Sequence, residues 1–132
     1  MINNIINKLK NPDLGLLFIR LGLAVVFIYH GWVKFQDIAG TTVFFNQLGL
    51  APFFVYLVAL VEVFGGLAML LGVLTEWAGL ILAIDMVFAI ILVKFGIGFG
   101  GGYEFDLMLL LAALAILVCG PGKYNIQKFF KK

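Results

Sequence analysis

At 132 residues, 64% hydrophobic and 12% charged, the chain is one domain by length, far above the about 45–50% apolar share of a soluble fold; lipid covers such a surface and water does not. A net charge of +2 with no basic, aromatic-interleaved patch argues against nucleic acid as a partner. A single cysteine (Cys119) excludes an intrachain disulfide, a single histidine (His30) excludes a bis-histidine haem within one chain, and no glycine-rich phosphate cradle is present.

In chain order, residues 1–11 place Ile2, Ile5, Ile6 and Leu9 at helical spacing, which predicts a short helix lying in the membrane interface. Asn11-Pro12-Asp13 breaks and restarts the helix, proline being tolerated in a first turn. Apolar spans follow over residues 14–33, 53–74, 77–95 and 104–119, each near the roughly 20 residues that cross hydrocarbon. The first run is too long for a cleavable signal, contains Arg20 and ends in His30-Gly31-Trp32, so it reads as a permanent span. Between the first two spans, Val43, Phe44, Phe45 and Leu48 predict an amphipathic turn resting on the outer interface, with Thr42 as its cap. Leu74-Thr75-Glu76 is so short that the second and third spans form an antiparallel hairpin. Five glycines in residues 96–102 give the last connection a backbone able to fold tightly or dip toward the bundle. In the tail, Phe129 and Phe130 stand beside Lys128, Lys131 and Lys132.

The expected fold is all-α: a single-domain integral membrane four-helix bundle in contact with the lipid bilayer. Both termini share a side with Lys8, Lys10, Lys123, Lys128, Lys131 and Lys132, against Lys34 and Lys94 opposite. The positive-inside rule makes that side cytoplasmic.

Arg20, Glu62 and Asp85 fall well inside the spans, where a charge costs about 2.5–3.5 kcal/mol even on lenient scales. Glu62 shares a helix face with Gly65, Gly66, Met69 and Gly72, small residues that admit a close neighbour, so it is expected to point into the bundle. Counting rise per residue, Arg20, Asp85 and Glu62 lie roughly 9, 12 and 18 Å from the cytoplasmic ends of their helices. The expectation is therefore an Arg20 guanidinium between the Glu62 and Asp85 carboxylates, acting as a proton relay or head-group ligand. The alternative is a pair that only fixes helix register.

A second polar group near the outer surface comprises His30, Lys34, Lys94, Glu104 and Asp106. Lys34, Lys94 and Asp106 are near enough to helix ends to reach the interface. Glu104 opens the fourth helix, where an acid complements the dipole or serves as a ligand at a pocket mouth. His30 is a polar residue at the water boundary, of a type able to relay protons. No spacing reads as a metal site, since His30 comes from a different helix than Glu104 and Asp106.

In Arg20-Leu21-Gly22, His30-Gly31-Trp32 with Lys34-Phe35, Glu62 with Gly65-Gly66 and Gly72, Gly101-Gly102-Tyr103-Glu104 and Gly120-Pro121-Gly122-Lys123-Tyr124, the chain resembles the DoxX family of small bacterial membrane proteins. The resemblance implies four transmembrane helices in a bacterial plasma membrane and a polar signature at Arg20, Lys34, Glu62 and Glu104. It also implies kinship with subunits of thiosulfate:quinone oxidoreductases and with proteins of oxidative-stress and quinone resistance. Asp85 and Asp106 stand outside the signature, and Asn125-Ile126-Gln127 departs from it.

The functional expectation is a membrane subunit that binds a quinone or small aromatic molecule in its polar interior and supports a redox or detoxification partner protein. No cofactor is encoded in the chain, a quinone being the one the resemblance brings in. Two readings compete: a proton-coupled transporter working through Glu62, which would need homo-oligomerisation for room, and a non-catalytic scaffold or assembly factor.

Overall fold

The computed structural model describes residues 1–131; Lys132, counted above among the basic residues of the terminal side, lies outside them. Helix α1 (Ile2–Leu9) leaves every one of its residues exposed, as a helix lying along an interface would. Asn11 then caps α2 (Pro12–Gln36), its Oδ1 accepting from Leu14 N at 3.1 Å, with Pro12 in the first turn, where a missing N–H does no harm.

Asp37 ends α2 and starts α3 (Ile38–Gln47), its Oδ1 accepting from Gly40 N at 2.9 Å. The cap is thus Asp37 and not Thr42, whose hydroxyl lies inside α3 and donates to Ile38 O. The predicted turn is a full ten-residue helix.

Helix α4 (Phe53–Leu71) stops three residues before the expected end at residue 74, because Gly72 swings into the left-handed region at φ 72°. Helix α5 (Thr75–Ala89) continues through a π-helical turn (Ile90–Lys94) and a 3-10 turn (Phe95–Ile97). Helix α6 (Glu104–Cys119) follows the glycine segment. Four stretches, Pro12–Gln36, Phe53–Leu71, Thr75–Ile97 and Phe99–Cys119, are long and apolar enough to cross a membrane, and no strand occurs among the described residues. The outward faces are apolar (Phe18, Val25, Phe64, Trp77, Met108 and Val118 are all exposed), as lipid contact requires.

Helix α2 packs chiefly on α4, and α5 on α6. Lipid gives no hydrophobic force between helices, so association depends on close van der Waals fit. Glycine supplies it. A Cβ on Gly31 would sit 2.7 Å from Val63 Cγ2 and 2.9 Å from Ala59 O, and one on Gly66 would sit 2.7 Å from Ile28 Cγ1 and 3.0 Å from Ile28 N. A Cβ on Gly79 would lie 2.8 Å from Ala113 O. Between the two pairs lies a core of Leu23, Phe27, Met69, Leu82, Met86 and Ile116.

Gly66→Ala is expected to lower stability by about 1–3 kcal/mol, the usual penalty of overpacking. It should be read as a fall in the thermal midpoint in detergent. Gly22→Ala, on the same helix as Gly31 but with nothing within 4 Å of the added carbon, should leave the midpoint unchanged or slightly raised.

Candidate functional site

The intramembrane charges sort into two clusters at opposite ends of the bundle. At the end bearing the termini, Arg20 is 1% exposed and gives its donors to backbone carbonyls. Nε donates to Met69 O at 2.9 Å, Nη2 to Leu70 O at 3.3 Å, and Nη1 to Pro121 O at 2.9 Å and to Tyr124 O. Met69 and Leu70 belong to the last turn of α4, whose carbonyls lack intrahelical partners and carry the negative end of the helix dipole. Pro121 and Tyr124 belong to the tail, which Arg20 therefore ties to α4.

Other contacts complete this clasp. Lys123 N donates to Asp13 Oδ1 at 3.0 Å, Ile126 N to Leu71 O at 3.1 Å, and Leu74 N to Gln127 Oε1 at 2.9 Å. A Cβ on Gly72 would lie 2.5 Å from Arg20 Nη2, so the closing residue of α4 has to be glycine for space as well as for its φ.

The expected Arg20–Glu62 pair is therefore not formed. Antiparallel α2 and α4 are held in register by Gly31 at Ala59 and Val63 and by Gly66 at Ala24 and Ile28. That register sets Arg20 level with Gly72, about 15 Å of helix away from Glu62 at 1.5 Å per residue. Nor does Arg20 reach Asp85, which lines the opposite end.

The partner of Glu62 is Lys34. Nζ lies 2.7 Å from Glu62 Oε2, with the two side chains 19% and 6% exposed, and this is the one ion pair among the described residues. Lys34 Nζ also donates to His30 O at 3.3 Å in the last turn of α2, leaving one of its three N–H groups for another acceptor. The sequence reading had let Lys34 reach out to the interface, whereas the structure turns it inward.

This pair stands in the wall of a cavity of about 400 Å³ enclosed by α2, α3, α4, α5 and α6 at the end remote from the termini. Asp85 lies within hydrogen-bonding reach of Glu62. Asp106, in the first turn of α6, is 8% exposed and also faces the cavity, together with Lys94 and the rim residue His30. Asp106 was expected at the interface; the structure buries it. Asp85 Oδ2 and Asp106 Oδ2 are both buried with no hydrogen-bond partner among the described residues. The remaining wall is apolar, with five phenylalanines (Phe27, Phe44, Phe45, Phe88 and Phe105) among aliphatic residues such as Val58, Leu92 and Leu109.

Glu104 does not line the cavity. It is exposed, and its Oε1 accepts from Gly101 N at 3.0 Å, closing the glycine turn. That turn is clamped by rings, with Tyr103 stacked on Phe95 at 6.2 Å and edge-on to Phe99 at 5.4 Å. Of the four signature residues, Lys34 and Glu62 form the cavity pair, while Arg20 and Glu104 organise turns.

The sequence reading missed that α3 also lines one side of the cavity, through Phe44 and Phe45, the latter 7% exposed. A signal was present in Phe44-Phe45 between Asp37 and the Gly49 turn, but its direction depends on α3 folding back over α4. Phe88 and Phe105 were missed as well. Phe88 is three residues beyond Asp85 and shares its helix face, which was a usable clue. Among the described residues no three His, Cys, Asp or Glu groups converge as metal ligands.

The DoxX family model matches residues 15–95. The chain is 36% identical over 123 residues to a Bacillus subtilis protein named "Putative oxidoreductase CatD", covering 93% of this chain and 92% of that one. It is 32% identical over 128 residues to the Escherichia coli "Inner membrane protein YqjF", covering 93% and 97%. No solved structure matches the chain.

Arg20→Lys, which keeps the charge but not the fork, is expected to free the tail. Trypsin should then cut after Lys123 and Lys128 about tenfold faster than in the wild type, with the Lys34–Glu62 pair intact. Lys34→Met should lower stability by about 3–5 kcal/mol by stranding the Glu62 carboxylate. Adding Glu62→Leu should restore most of the lost thermal midpoint in detergent.

Proposed function

The chain belongs to the DoxX family of membrane proteins, and from that premise we propose that it binds a small oxygen-bearing aromatic molecule of the quinone type in the cavity around Lys34 and Glu62. The observation that carries this reading is the composition of one cavity: phenylalanine and aliphatic walls around a largely buried, partly unsatisfied ion pair. Its size falls within the about 300–1,000 Å³ of small-molecule sites, room for one substituted ring. The rings supply flat apolar contact, and the remaining Lys34 N–H supplies a donor for a ligand oxygen.

Bound in this way, a quinone nucleus would be oriented by Lys34 and shielded from water by α3. When present, such a molecule supplies the two-electron chemistry; the chain contributes binding, orientation and exclusion of water. Support for a redox setting comes from the word oxidoreductase in the name of the Bacillus subtilis relative. We assign the electron transfer itself to a partner protein.

The multi-pass chain is further proposed to reside in the bacterial plasma membrane with both termini cytoplasmic. The Escherichia coli relative's name as an inner membrane protein supports the location. The basic residues gathered around the tail, against two lysines at the cavity end, support the orientation.

Titration of the purified protein with 2,3-dimethoxy-5-methyl-1,4-benzoquinone and its reduced form, followed by saturation-transfer NMR, tests the reading. At least one form should bind saturably. Ala89→Phe, which adds a ring at a cavity-lining position that carries no charge, should weaken that binding by about tenfold or more, equivalent to about 1.4 kcal/mol. Absence of saturable binding by both forms would overturn the proposal.

A further inference from the structure

Two buried carboxylate oxygens of residues lining the cavity accept no hydrogen bond from any N–H or hydroxyl among the described residues. Asp85 Oδ2 projects from α5 and Asp106 Oδ2 from α6, both buried, and Asp106 as a whole is only 8% exposed. A buried polar atom left unsatisfied is rare in folded proteins, and each such atom calls for a partner. Asp85 already stands beside Glu62, whose Oε2 is taken up by Lys34. The acceptors in this wall therefore crowd together, and among the described residues neither Lys94 nor His30, which share the wall, is hydrogen-bonded to either Oδ2.

The chemistry of the missing partner follows from what a carboxyl group offers. Ionised, it only accepts; protonated, it donates once and still accepts. A ligand hydroxyl both donates and accepts, so it satisfies either form. A carbonyl or ether oxygen only accepts, and against a carboxylate it sets lone pair against lone pair.

Resting on the binding reading above, we propose that Asp85 and Asp106 form a hydroxyl-selective subsite, so that the cavity holds the reduced, dihydroxy form of its aromatic ligand in preference to the quinone. Lys34 meets one oxygen of either form; the aspartates, when ionised, meet only the form that brings its own hydrogen. The preference has a thermodynamic corollary. A reduced form bound tenfold tighter than the oxidised form raises the reduction potential of the bound two-electron couple by about 30 mV.

The test compares three probes: 2,3-dimethoxy-5-methylhydroquinone, the corresponding benzoquinone, and the hydroquinone's dimethyl ether, which keeps both oxygens but has no O–H. The hydroquinone is expected to bind about tenfold or more tightly than either of the others. Asp85→Asn and Asp106→Asn, near-isosteric and furnished with an N–H₂ donor, should narrow the gap by strengthening quinone binding, a gain that a merely structural role would not produce. Retention of the wild-type thermal midpoint checks that both variants are folded.

Equal binding of all three probes would overturn the subsite while leaving the cavity reading standing. A hydroquinone preference unchanged in both variants would overturn its assignment to these aspartates. Failure of all three probes to bind would sink both readings together.

Discussion

Within a bilayer nothing outside the protein offers a hydrogen bond, so each charge drawn into the spans has to be answered by the chain itself. That constraint separates the molecule into two polar ends with an apolar waist of Leu23, Phe27, Met69, Leu82 and Ile116 between them. At one end Arg20 is answered by carbonyls of a helix terminus and of the tail. At the other, Glu62 is answered by Lys34, and two buried aspartate oxygens have no hydrogen-bond partner among the described residues. The first cluster is closed and structural. The second is incomplete, and incompleteness is what a binding site requires.

The same helices that pack most tightly also make the cavity. Glycines bring α2 against α4 and α5 against α6 along the waist, where backbone nearly touches side chain. Toward the cavity end, α5 loosens into the π-helical turn Ile90–Lys94, and Leu92, Val93 and Lys94 from that turn line the space. A π turn spreads one extra residue over the helical path and re-aims the side chains after it. Here it carries Lys94 to the wall that also holds Asp106. Helix α3 then closes the side through Phe45, so the cavity is bounded by five helices although only four cross the membrane.

Length, apolar content and the positions of breaks made the four spans, the short helix α1 and the α4–α5 hairpin legible from residues alone. These features depend on local chemistry: hydropathy over about 20 residues, a proline in a first turn, a short polar connection. The partner of Arg20 was not legible, because backbone carbonyls leave no mark in a sequence; every residue supplies one. Lys34 was misread for a related reason. A lysine near a helix end reaches out to the interface or turns inward according to which residue of the neighbouring helix is level with it, and that register is set by Gly31 and Gly66 contacts across the chain. Asp106 and Phe45 belong to the same class, since their burial depends on which neighbouring helix covers them.

The acceptors of Arg20 are spread unevenly through time as well as space. Pro121 and Tyr124 lie 101 and 104 residues further along the chain, so a ribosome delivers them only after all four spans have been made. Until then the first span carries a cation whose full set of ligands does not yet exist. Insertion and completion are consequently separate events for this molecule: the helices enter the lipid in order, and residues 121–127, swinging back beneath the bundle, act as the latch that finishes it.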